Sequence, residues 1–244
     1  MHRCAGGDRH KRCSWRIALI AAWLAATLPL ASDARAADAS EFWPELSAYI
    51  GLSEDTRLFL DASYARGKES DLRTLELSAY LDVALAPMLR PELRKEDWQR
   101  ARYLWARVGF SHIGKVSTSD VQEPERRGVL ALYARAPLPQ QFWLEGRLRT
   151  DLRWIGNDYS TRYRARVDLS RDYRWLERPL MSYANAEVFF DTGLDGFSRT
   201  LYQIGTEVTV YKNFRYEVYL AWQSDRLPAP ESLLALGLVA KWYF

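Results

Sequence analysis

The residues best placed for chemistry are charges repeated at every second position. Glu145, Arg147, Arg149, Asp151 and Arg153 form one such run, and Arg162, Arg164, Arg166 and Asp168 form the next. Side chains two residues apart on a strand share a face, so each run projects to one side. A guanidinium offers a planar fork of donors suited to carboxylates and phosphates. Two chemistries follow. The arginines line a water-filled path for anionic solutes, or the interleaved acids neutralise them and the charges brace the wall that carries them. The same spacing continues more sparsely in Asn185, Glu187 and Asp191, in Arg199, Gln203 and Glu207, and in Arg215, Glu217 and Gln223.

Nucleophilic chemistry has less to stand on. Beyond residue 36 the one histidine is His112, beside Ser111. Neighbours on a strand face opposite sides, so the two make no nucleophile and base pair in a regular strand. The His-x-Ser spacing that resembles outer-membrane phospholipases and lipid A deacylases is broken, because Gly114 stands at the serine position. A hydrolase built on Glu187, Asp191 and Glu207 is the remaining enzymatic alternative, with structural ion pairing as its competitor. There is no glycine-rich phosphate loop and no Cys/His metal spacing, so neither cofactor nor metal is expected.

Alternation of apolar and polar residues predicts the elements that position these charges. Strands are expected near Glu45–Leu52, Thr56–Ala65, Leu72–Leu85, Arg100–His112, Arg127–Ala136, Phe142–Trp154, Ser160–Ser170, Ser182–Asp191, Arg199–Tyr211, Arg215–Gln223 and Leu234–Phe244. Single-chain bacterial barrels have even strand numbers and both termini on the periplasmic side. The expectation is therefore twelve strands, with ten as the alternative. The weak points are Phe42–Leu52, which contains Pro44, and Pro87–Gln99, which reads as a short helix or long turn. Ile113–Arg126, Ile155–Tyr159, Thr192–Ser198 and Ser224–Ser232 become extracellular loops. Ala136–Gln141 and Lys212–Phe214 become periplasmic turns. Pairing Arg153 with Arg162 would set Asp151 against Arg164 and Arg147 against Asp168. Like-charge neighbours such as Arg149 and Arg166 would then need a third group between them.

The face opposite the charges is apolar: Phe142, Leu144, Leu148, Leu152 and Trp154 on one strand, Tyr216, Val218, Leu220 and Trp222 on another. Aromatic residues near strand ends fit the interfacial girdles of a transmembrane barrel. The last segment alternates as Leu234, Leu236, Leu238, Ala240, Trp242 and Phe244. A terminal aromatic with a second two residues earlier resembles the signal by which bacterial outer-membrane barrels reach their assembly machinery, which implies that role for Trp242 and Phe244. At the other end Arg3, Arg9, Lys11, Arg12 and Arg16 precede the apolar stretch Ile17–Leu30, and Ala34-Arg35-Ala36 offers a small-x-small cleavage site. An apolar stretch this short suits a secretory signal better than a spanning helix. Residues 1–36 are thus expected to be a cleaved signal peptide, and residues 37–244 a single barrel domain.

Cleavage would remove both cysteines, Cys4 and Cys13, so no disulfide is expected in the mature chain. It would also leave 28 basic against 29 acidic residues, removing the precursor's excess of cations. Nothing in that balance suggests a nucleic-acid partner.

Glu187-Val188-Phe189-Phe190-Asp191, then Arg199, Gly205, the Tyr219 strand and the terminal Lys241-Trp242-Tyr243-Phe244, together with Arg162-x-Arg164-x-Arg166, resemble an uncharacterised bacterial family, domain of unknown function 2490. The resemblance implies an outer-membrane barrel of Gram-negative bacteria with no established activity. The expected partners are outer-membrane lipid, lipopolysaccharide and the barrel assembly machinery. Three functions stay open: a structural barrel with a charge-filled lumen, a small porin-like anion channel using an arginine ladder, and an outer-membrane hydrolase.

Overall fold

Period-two alternation of β-branched, aromatic and leucine residues with charged ones continues through most of the chain past residue 39, and strands form wherever it runs. The computed structural model describes residues 39–67, 73–86, 103–115, 123–175, 178–227 and 231–244. The expected signal peptide with Ala34 and Ala36, and the Pro87–Gln99 segment, lie outside these residues.

The described residues form eleven strands: β1 (Ala39–Gly51), β2 (Thr56–Gly67), β3 (Arg73–Ala84), β4 (Leu104–Lys115), β5 (Glu125–Leu138), β6 (Phe142–Ile155), β7 (Asp158–Trp175), β8 (Arg178–Asp191), β9 (Gly196–Tyr211), β10 (Phe214–Asp225) and β11 (Glu231–Tyr243). Sequential neighbours pair antiparallel, and β1 closes the barrel against β11. That last pairing is parallel, in continuous register from Ala39 opposite Leu233 to Tyr49 opposite Tyr243.

The parallel seam corrects the expectation of twelve or ten strands. An even number follows only if every neighbour is antiparallel. One parallel pair makes the number odd, and it sets the start of β1 and the end of β11 at opposite rims. The seam also draws in the last residue, since the Phe244 amide donates to the Tyr49 carbonyl at 2.8 Å and the Gly51 amide to the Phe244 carbonyl at 3.0 Å. Pro44 belongs to β1 rather than ending it. Its missing amide shows only on the β2 side, where the ladder pairs Phe42 and then Glu45 while skipping Trp43 and Pro44.

Turn chemistry sets several boundaries. Gly156, at φ 57°, and Asn157 make a two-residue hairpin between β6 and β7, tighter than the loop expected over Ile155–Tyr159. The Ile113–Arg126 connection shrinks similarly, because β4 runs to Lys115 and β5 begins at Glu125.

Alternation divides the wall as expected. Leu46, Leu148 and Ile204 point outward and are 58%, 63% and 63% exposed. Most of the buried side chains point inward, and many of these are polar: Asp82, Ser111, Asp151, Glu187, Asp191, Glu207 and Glu217.

Candidate functional site

The lumen is organised by the register of the β6–β7 hairpin. Its two-residue turn sets Asp151 opposite Arg162, Arg149 opposite Arg164, Arg147 opposite Arg166 and Glu145 opposite Asp168. This is displaced by two residues from the expected pairing. A shift of two keeps every side chain on its face and changes every partner. The signal that sets it is Gly156-Asn157, a dipeptide suited to a two-residue hairpin turn.

Four arginines therefore meet in two directly opposed pairs, an arrangement that is unfavourable by itself. Two carboxylates resolve it. Glu187 on β8 accepts from Arg147 Nη2 at 2.6 Å and from Arg164 Nε and Nη2 at 2.7 and 3.1 Å. Asp151 accepts from Arg149 Nε at 2.6 Å and lies 3.6 Å from Arg164 Nη1. Both acids are almost fully removed from solvent, at 2% and 0% exposure. Arg166 pairs with Asp168 at 2.7 Å and lies 3.9 Å from Glu145. Arg164 also stacks over the Phe189 ring at 4.5 Å. The third group that opposed arginines require is thus supplied from the same strand and from the next one.

Toward the rim where β6 ends, Arg153 joins Glu125 and Asp191, each at 2.6 Å. Asp191 also accepts from Arg162 Nε at 3.0 Å and from the Gly193 amide at 2.9 Å. Arg199 makes a bidentate pair with Asp225, at 2.5 and 2.8 Å. The remaining nominated acid, Glu207, belongs to a separate cluster on the far wall. It accepts from Arg215 and from Lys241, each at 2.8 Å, and Lys241 also pairs with Glu217. Tyr183 donates its hydroxyl to Glu217 at 2.5 Å while its ring covers Gly205 on the next strand. A Cβ at Gly205 would lie 2.7 Å from that ring, so a larger residue there displaces it.

A third cluster was not nominated from sequence. Asp82, fully buried, accepts from Arg57 Nε at 2.9 Å and from Arg107 Nε at 2.7 Å. Arg107 lies over the Phe59 ring at 4.2 Å. Tyr243, Tyr49, Phe59 and Tyr80 stack in turn across β11, β1, β2 and β3, with centroids 4.8, 4.6 and 5.7 Å apart. The alternation of β2–β4 was legible, but no run there was dense enough in charge to single these residues out.

Ser111 and His112 face opposite sides. Ser111 is buried against Ser78 Oγ and the Tyr80 hydroxyl at 2.8 and 2.7 Å, while His112 is exposed on the outer wall. Among the described residues, no group of three or more Asp, Glu, His and Cys side chains is placed to hold a metal ion. Trp242 packs against Phe214 at 4.9 Å, and Phe244 is 72% exposed on the outer side.

A closed, eleven-stranded β-barrel with an apolar outer wall and an ion-paired lumen is the class of protein that these observations define. Residues 40–233 match the family described as protein of unknown function (DUF2490), and the chain belongs to that family. The matched region includes all the luminal arginines nominated above, while Lys241, Trp242 and Phe244 lie beyond it. No curated protein matches the chain.

Proposed function

We propose that this protein is a structural β-barrel of the bacterial outer membrane, with a lumen sealed by its own ion pairs, and is neither a conducting channel nor an enzyme. The observation that carries the reading is the engagement of Arg147, Arg149 and Arg164 by Asp151 and Glu187, at distances from 2.6 Å. An anion path needs arginines whose donors face water and a passing solute. Here each of the three arginines donates to a buried acid. The membrane placement is supported by the exposed leucines, valines and aromatics of the outer wall, which are unfavourable in water by about 25 cal/mol per Å² and at home in lipid. Barrel closure satisfies the backbone without leaving an edge, as a bilayer requires. Export by the N-terminal signal with cleavage after Ala36, assembly through Trp242 and Phe244, and contact with outer-membrane lipid belong to the same reading.

Planar bilayers test the sealed lumen. The purified protein is expected to produce no steady conductance. An anion-selective current that reverses preference when Arg149, Arg164 and Arg166 are changed to Glu would overturn it. Fractionation tests the placement, with recovery expected only in the detergent-extracted outer membrane. Folded protein in the soluble periplasm would sink the membrane reading.

A further inference from the structure

Alternation assigns each described strand residue to one side of the wall, and the resulting sort of charge is one-sided. Every Asp and Glu of the described strands falls on the luminal side. The charged or imidazole side chains on the outer side are Arg66, Arg73, His112, Arg126, Arg171 and Arg178. The first four are exposed and gather on adjacent strands β2–β5, at the rim away from the C-terminus. Arg66 stands directly opposite Arg73, and His112 directly opposite Arg126.

Inside the barrel, opposed arginines are held together by buried carboxylates. On the outer face no described carboxylate performs that task for Arg66 and Arg73, and like charges facing each other across a ladder repel. Among the described residues this face supplies basic groups alone, which makes it a surface suited to an anion from outside the chain. Its level is marked by aromatic residues: Arg126 lies opposite Trp154, and Trp154 opposite Tyr159, with the two rings 5.4 Å apart. Such aromatic belts sit at the headgroup region of a bilayer. On β3, Arg73 is four residues from Leu77, which pairs with His112, so the two basic pairs are separated by about 13 Å along the strand. A headgroup bearing two well-separated phosphates meets both pairs at once. A single phosphodiester meets one.

We infer that the outer face of β2–β5 binds a diphosphorylated glycolipid of the lipid A class, with one phosphate at Arg66 and Arg73 and the other at His112 and Arg126. Guanidinium forks suit phosphate oxygens in a bidentate manner. The inference rests on the membrane reading and on the usual orientation, with the C-terminal rim in the periplasm.

The test uses the detergent-solubilised folded barrel and native mass spectrometry, with diphosphoryl lipid A, monophosphoryl lipid A and phosphatidylglycerol as probes. Diphosphoryl lipid A is expected to be retained at least tenfold more than either other lipid. The triple variant Arg66→Gln, Arg73→Gln, Arg126→Gln should lose that preference, and Arg171→Gln with Arg178→Gln at the other rim should keep it. Mobility of unheated samples on gels confirms folding, and the single variants Arg73→Gln and Arg126→Gln serve if the triple does not fold. Equal retention of all three lipids, or an unchanged preference in folded variants, overturns the inference and leaves the membrane reading standing. A wild-type chain that folds without detergent and ignores vesicles overturns both.

Discussion

Glu187 is the residue on which the luminal charge converges, because among the described residues it alone touches both Arg147 and Arg164 at hydrogen-bonding distance. Removing one member of a buried ionic group leaves its partners desolvated and uncompensated, which costs about 3–5 kcal/mol. Glu187→Ala is expected to lower stability by that amount, read as the midpoint of urea unfolding in detergent. The Arg199–Asp225 pair is a fair contrast, with side chains 34% and 19% exposed. Partial solvation screens it, so Asp225→Ala should cost about 1 kcal/mol or less. Equal losses at the two sites would show that the depth of burial does not govern these pairs. Glu187→Gln keeps the shape and removes the charge, so it should fall between them.

Strands and turns carry the next level of specification. Gly205→Val places side-chain atoms where the Tyr183 ring lies and displaces the hydroxyl that Glu217 accepts. The expected loss is about 1–3 kcal/mol, and Tyr183→Ala in the same chain should recover part of it. A strictly additive double variant would show that ring and glycine do not interact. At this scale sequence reading succeeded where a signal is local. Leu148 and Arg149 were sorted to opposite faces by period two alone, and the same spacing placed Asn185, Glu187 and Asp191 inside. It fell short where the outcome depends on pairing. Arg164 was recognisable as luminal, yet its partner Glu187 comes from β8, and no pattern within β7 names it. The β6–β7 register turned on whether Gly156-Asn157 closes a tight hairpin or sits within a longer loop. Asp82 and Arg57 were passed over because each is a lone charge among apolar and small residues, and only the β2–β3 ladder sets one opposite the other.

For the whole molecule, the distinctive feature is the seam between β1 and β11. Directly opposed Cα atoms on neighbouring strands lie about 5 Å apart, within disulfide range. Leu46→Cys combined with Ala240→Cys should therefore cross-link on mild oxidation and change the mobility of the unreduced monomer. Leu46→Cys with Tyr216→Cys, one strand farther round, should not. A strand inserted between β1 and β11 would abolish the first cross-link as well, so the Leu46–Ala240 pair tests the strand number directly. The seam has a further consequence for how the barrel forms. Each hairpin joins neighbours in sequence, but the parallel ladder joins residues at opposite ends of the domain, such as Ala39 and Leu233. Contacts so remote in sequence give a high contact order and must overcome the entropy of closing almost the entire chain into one loop. Ten of the strands can zip progressively into a curved sheet, yet both edges of that sheet stay unpaired until β11 arrives. Closure is then the slow, late step of folding, and a chain stalled before it exposes two sticky strand edges to its neighbours.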